Sequence, residues 1–156
     1  RFAERIDLHI CSATAPVDPS LPGVHWHGAV DHDHLLQELL PSMDLFVLPT
    51  RSDMSPWAIA EALVAGLPVV STDVGGIGEL VHHDIEGLLG PPGDLDALED
   101  NLLALVQDSN RRRRMANAAA VAGAGRLSMN SMADTLVEAW REASTSLGHN
   151  RPGPQR

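Results

Sequence analysis

Short apolar runs alternate with longer mixed segments along this chain of 156 residues. "IDLHICSA" (6–13) reads as a buried strand and "GVHWHG" (23–28) as a second, shorter one. A polar helix over about 32–42 begins in "DHDHLLQELL", and "DLFVLPT" (44–50) is a continuous apolar strand closed by Pro49. Within "DMSPWAIAEALVAG" (53–66) lies a helix, followed by "LPVVSTD" (67–73), another buried strand. "GGIGELV" (75–81) is a glycine-rich turn opening a short helix, and "EGLLGPPGD" (86–94) a strand end and turn. The remainder is helical, over about 94–108, 110–122 and 129–146. Short apolar strands separated by helices predict parallel βαβ units, an α/β sheet with helices on both faces. Ligands in such sheets sit at the strand carboxyl ends, where loops enter helices. Asp53 to Ser55 occupy one such end, and Thr72 to Gly76 another.

The helix after Asp53 carries the sharpest question. From Pro56 to Ala65 every residue is apolar except Glu61, and burying an ionised carboxylate costs several kcal/mol unless something pairs with it. Two readings stand: Glu61 has a structural partner such as an arginine, or it meets a ligand. Ser55 suits an N-cap, Pro56 the first helical position, and Gly66 the left-handed residue after the helix, with Pro68 stopping it. The N–H groups around Pro56 to Ile59, less the one proline lacks, then point out of the helix start and suit a phosphate. Asp53 has its own plain reading as a capping acid. Two acids eight apart, one before and one within the helix, also suit paired hydroxyls of a sugar or ribose. Gly75 and Gly76 form either a tight turn or a place where backbone approaches a ligand closely.

Composition narrows the partners. The chain is 44% hydrophobic and 21% charged, with a net charge of −10, which argues against nucleic acid or an anionic membrane. All eleven basic residues are arginine, so lysine Schiff-base chemistry, including pyridoxal phosphate attached to this chain, is excluded. Cys11 is the single cysteine, forms no internal disulfide and suits a reducing, cytoplasmic setting. No apolar run is long enough to span a bilayer. The chain lacks an initial methionine and reads as an N-terminally truncated fragment, with one domain over 1–146 and a disordered tail over 147–156. The histidine pairs 25/27, 32/34 and 82/83 lack the i,i+4 spacing of a helical zinc site, so no metal is expected. "RRRR" (111–114) reads as a solvated helix face.

The stretch from "DLFVLPTRSDMSPWAIAEALVAGLPVVSTDVGGIGELV" to "GLLGPPGD" resembles the donor-binding half of a retaining glycosyltransferase of the large family 4 group. An acid, seven residues, Glu-Ala, a Gly-x-Pro-Val-Val strand and a Thr-Asp-x-Gly-Gly turn follow in order. The resemblance covers about residues 6–125 and implies the C-terminal, Rossmann-like half of a GT-B fold. It implies that a nucleotide-sugar donor is held here and that the acceptor domain precedes this segment in the full protein. Position by position, Asp53 would contact the transferred sugar and Glu61 the ribose. The backbone of Ser55, Pro56, Trp57, Ala58 and Ile59 would face the diphosphate and sugar, with Gly75 and Gly76 beside it. His27 and Gly28 precede a loop that would touch the base. No cofactor and no essential metal are implied.

Two departures matter. Position 53 is Asp where the family usually has Glu, and the family's phosphate-clamping Arg and Lys fall ahead of Arg1. The fragment alone is therefore expected to be inactive. Competing readings are a non-catalytic binding or scaffold module and a GT-B sugar-nucleotide epimerase.

Overall fold

A computed structural model describes residues 6–15, 18, 21–127 and 129–148. The chain divides into two compact units, Arg1–Ser42 and Met43–Arg156. In the first, β1 (Leu8–Cys11) pairs in parallel with β2 (Val24–Gly28), His9 lying opposite His25. Neither strand is fully buried, although the apolar run of β1 had pointed to a buried one. Trp26 Nε1 donates to the Ser12 carbonyl at 2.9 Å, and a bulge falls between Ile10 and Cys11. The predicted helix over 32–42 forms as a graded run. It has an α turn, α1 (His32–His34), then a π segment over Leu35–Leu39 and a 3-10 turn over Leu40–Ser42. Asp31 caps its start through the N–H groups of Asp33 and His34. Pro41 has no N–H to continue an α ladder, which fits the change of pitch there.

The second unit is a three-stranded parallel sheet in the order β3 (Phe46–Leu48), β4 (Val69–Thr72), β5 (Gly87–Gly90). Helix α2 (Trp57–Val64) connects β3 to β4, and the short α3 (Ile77–Leu80) connects β4 to β5. Three helices follow: α4 (Leu95–Gln107), α5 (Ser109–Ala124) and α6 (Met129–Gly148). The parallel α/β architecture expected from the pattern is present. The helix predicted to end at 146 runs to Gly148, and the rest of the expected tail, 149–156, lies outside the described residues.

β4 is the centre, and all four of its residues are buried. Its polar pair is satisfied: Ser71 Oγ donates to the Leu48 carbonyl at 2.7 Å and Thr72 Oγ1 to the Thr50 carbonyl at 2.6 Å. Val70 and Leu88, register partners on β4 and β5, pack with Leu105 of α4 and Met115 of α5. Burying side chains of this size contributes roughly 1.5–3 kcal/mol each. Helix α2 ends as its sequence predicts. Gly66 takes φ 76°, its N–H reaches the Leu63 carbonyl, and the Leu67 N–H reaches that of Ala62. These two bonds make a Schellman stop.

Candidate functional site

The site begins where β3 runs out. Thr50 Oγ1 donates to the Ser52 carbonyl and accepts from the Ser52 N–H, curling the chain toward Asp53. Asp53 is half-buried, and its Oδ1 accepts from the Ser55 N–H at 3.1 Å, a side-chain turn typical of Asp. That bond changes the helix start. Pro56, not Ser55, is the N-cap, with φ −69° and ψ 116°, and no side chain caps α2. Ser55 lies one residue too early to reach the first turn, and its own N–H is already committed to Asp53.

Counting donors sharpens the expected anion site. Ile59 N–H donates to the Pro56 carbonyl at 3.1 Å, Pro56 has no N–H, and Ser55 N–H serves Asp53. Among the described residues no side chain caps the N–H groups of Trp57 and Ala58, which are the donors left at this helix start. Ile59 is wholly buried, and its N–H is taken by the Pro56 carbonyl. Trp57 is 70% exposed and Met54 83%, so the indole and the thioether stand at the surface of this loop.

Glu61 sits in the second turn of α2 and is half-buried. The helix is not enclosed on all sides, since Trp57 and Val64 are exposed while Ile59, Ala62 and Leu63 are buried. The desolvation cost that made Glu61 conspicuous is correspondingly reduced. Glu86, ahead of β5, is a buried acid with a structural arginine. It is 5% exposed and accepts from Arg126 Nη2 at 2.8 Å and from the His82 N–H at 2.8 Å. The sequence offered the same signal there as at Glu61, an acid beside an apolar run, in "DIEGLLG".

Gly75 and Gly76 close on the Asp53 loop. The Gly76 N–H donates to the Met54 carbonyl at 2.9 Å. A Cβ at Gly75 would lie 1.9 Å from the Asp53 carbonyl oxygen, and one at Gly76 would lie 2.2 Å from that of Met54. The close approach these glycines permit is therefore to the chain itself. His27 and Gly28 end β2 in the first unit, and Gly28 has φ 70°.

The histidines expected as separate pairs gather in part. His9, whose register partner is His25, stacks on it at 4.7 Å between ring centroids and on His27 at 5.1 Å. His9 Nδ1 and His27 Nε2 share a hydrogen bond of 2.9 Å, and Asp7 lies 3.2 Å from His25. Burial, then the neighbouring His25 and His27 imidazoles, hold His9 below the usual histidine range, with Asp7 opposing. Among the described residues no group of three or more His, Cys, Asp or Glu could hold a metal ion. The arginine run is only half a solvated face. Arg111 pairs with Asp84, and Arg112 donates to the Leu105 carbonyl at 2.7 Å, tying α5 to the end of α4. A cavity of about 350 Å³ lined by Asp84, Ile85, Arg111, Arg114 and Met115 borders this run and involves neither Asp53 nor Glu61.

A parallel sheet with a loop and an open helix start at its strand carboxyl ends is the Rossmann-like α/β fold of GT-B glycosyltransferases. Residues 5–108 match the family described as glycosyl transferases group 1, and the chain belongs to that family. It is similar to the amylovoran biosynthesis glycosyltransferase AmsK of Erwinia amylovora, 42% identical over 78 residues, covering 46% of this chain and 19% of that protein. The alpha-D-kanosaminyltransferase of Streptomyces kanamyceticus is 32% identical over 109 residues, 67% of this chain and 28% of that one. Among solved structures, Anabaena Alr3699/HepE in complex with UDP superposes with a TM-score of 0.68 at 24% identity, over 76% of this chain and 32% of that one. The chain thus spans less than a third of the length of these relatives. Among the described residues no helix is long and apolar enough to cross a membrane.

Proposed function

We propose that this chain is the donor-binding part of a retaining glycosyltransferase, and that its ligand is a nucleotide-diphosphate sugar. One observation carries the reading: the fixed Asp53 loop runs straight into a helix start whose Trp57 and Ala58 N–H groups lack a cap. Those two donors and the helix dipole suit the diphosphate. Asp53, whose Oδ1 serves Ser55, suits the hydroxyls of the transferred sugar. Glu61 accepts from the ribose. Stabilising the leaving diphosphate would supply most of the rate gain, and neither a cofactor nor an essential metal is part of the reading. The acceptor domain and the phosphate-clamping Arg and Lys are assigned to other parts of the full-length enzyme. The similarity to HepE, solved with UDP and with UDP-glucose, supports this class of donor.

Calorimetric titration with UDP-, GDP- and ADP-glucose tests the proposal. Saturable binding of one of the three is expected. Binding of none by the full-length protein at millimolar concentration would overturn the donor-binding reading.

A further inference from the structure

The contacts between the β4 turn and the Asp53 loop form a series that outlasts the sheet. β3 and β4 pair as strands only from Phe46↔Val69 to Leu48↔Ser71. At that last pair Ser71 Oγ holds the Leu48 carbonyl, and beyond it Thr72 Oγ1 holds that of Thr50 and the Gly76 N–H that of Met54, at 2.7, 2.6 and 2.9 Å. The space between the two turns is closed to a side chain at Gly75 and Gly76, where a Cβ would meet carbonyl oxygens at 1.9 and 2.2 Å. Thr72 is buried, so its hydroxyl has no water to turn to.

We propose that Thr72, Gly75 and Gly76 are positioning residues that set the Asp53 carboxylate. The resemblance sets the glycine turn beside the donor; the Gly76 N–H also braces the neighbouring loop. Asp53 carries no strand bond of its own. Its place follows from the anchored carbonyls at Thr50 and Met54 on either side and from the Ser55 N–H it holds. A carboxylate held this way is pre-ordered before any ligand arrives, which is what a site needs to hold its geometry within about half an ångström. The functional meaning of this bracing rests on the proposed sugar role of Asp53, whereas the bracing itself does not.

The test uses the Ser55 amide as a reporter, in nitrogen-15 spectra of the chain without ligand. Asp53→Asn replaces the charged acceptor with a neutral one of the same shape, so adding it to the wild-type chain should shift the Ser55 amide. Thr72→Val keeps the shape and removes the donor. It should cut that shift to about half or less, and Thr72→Ser should restore it, as expected for a charged acceptor that has moved away. Gly76→Ala should abolish the shift or prevent folding, and the Thr72 pair decides in the second case. A wild-type Ser55 shift on adding Asp53→Asn to folded Thr72→Val would overturn the proposal. Affinity for UDP-glucose and for UDP, measured on the same variants, separates the two claims. A lost Ser55 shift with both affinities unchanged upholds the bracing and overturns the sugar role of Asp53.

Discussion

Arg126 donates through Nη2 both to the Glu86 carboxylate, at 2.8 Å, and to the Leu80 carbonyl, at 2.7 Å, while Nη1 reaches the Glu79 carbonyl. One guanidinium therefore closes the end of α3 and neutralises the buried acid ahead of β5. Arg126→Ala would leave Glu86 buried without its cation. The expected loss is about 2–3 kcal/mol, below the 3–5 of a fully buried pair because Arg126 is partly exposed. Glu86→Gln keeps the shape and should cost about 1 kcal/mol. Urea unfolding of both variants checks the order.

Asp53→Asn separates the sugar from the rest of the donor. The amide oxygen can still accept from Ser55, so the loop should keep its shape. Binding of the nucleotide sugar should weaken about tenfold, the worth of one charge-assisted bond, and binding of the nucleoside diphosphate about twofold at most. Equal losses for both ligands would place Asp53 at the phosphates instead.

The His9 stack predicts a local pH dependence. In the folded chain His9 sits below the usual range, so the unfolded chain binds more protons as pH drops below about 6.5. Stability of the β1–β2 pair is therefore fully present above that pH and declines as acid charges the stack. Strand amides should exchange faster, after correction for intrinsic rate, at about pH 5 than at about pH 7.5, and His9→Gln should flatten the difference. Stacked rings also aim their lone pairs in near-parallel planes, so they do not converge on one cation. EDTA should leave the thermal midpoint unchanged.

The α/β order was legible because each element carried its own period and stop signals. Gly66 and Pro68 announced the end of α2, and the buried run "LPVVSTD" announced the central strand. The start of α2 falls one residue later than expected, at Pro56, because Ser55 and Pro56 both fit a helix start by residue type. The competing bond from Asp53, which takes the Ser55 N–H, is visible only in three dimensions. Glu86 was passed over for the same reason: its partner is 40 residues away. In the arginine run, Arg112 reads like its neighbours until the end of α4 is placed beside it. Gly75 and Gly76 were legible as a place of close approach, but not as to what approaches.

Glu61 bears most directly on the central claim, that this fold holds a nucleotide through its ribose. Glu61→Gln preserves shape and removes charge. In calorimetry with the preferred nucleotide, affinity should fall about ten- to a hundredfold, from bonds worth about 1.5–3 kcal/mol. Nucleotide binding at the wild-type level together with early unfolding would contradict the account and assign Glu61 to the fold.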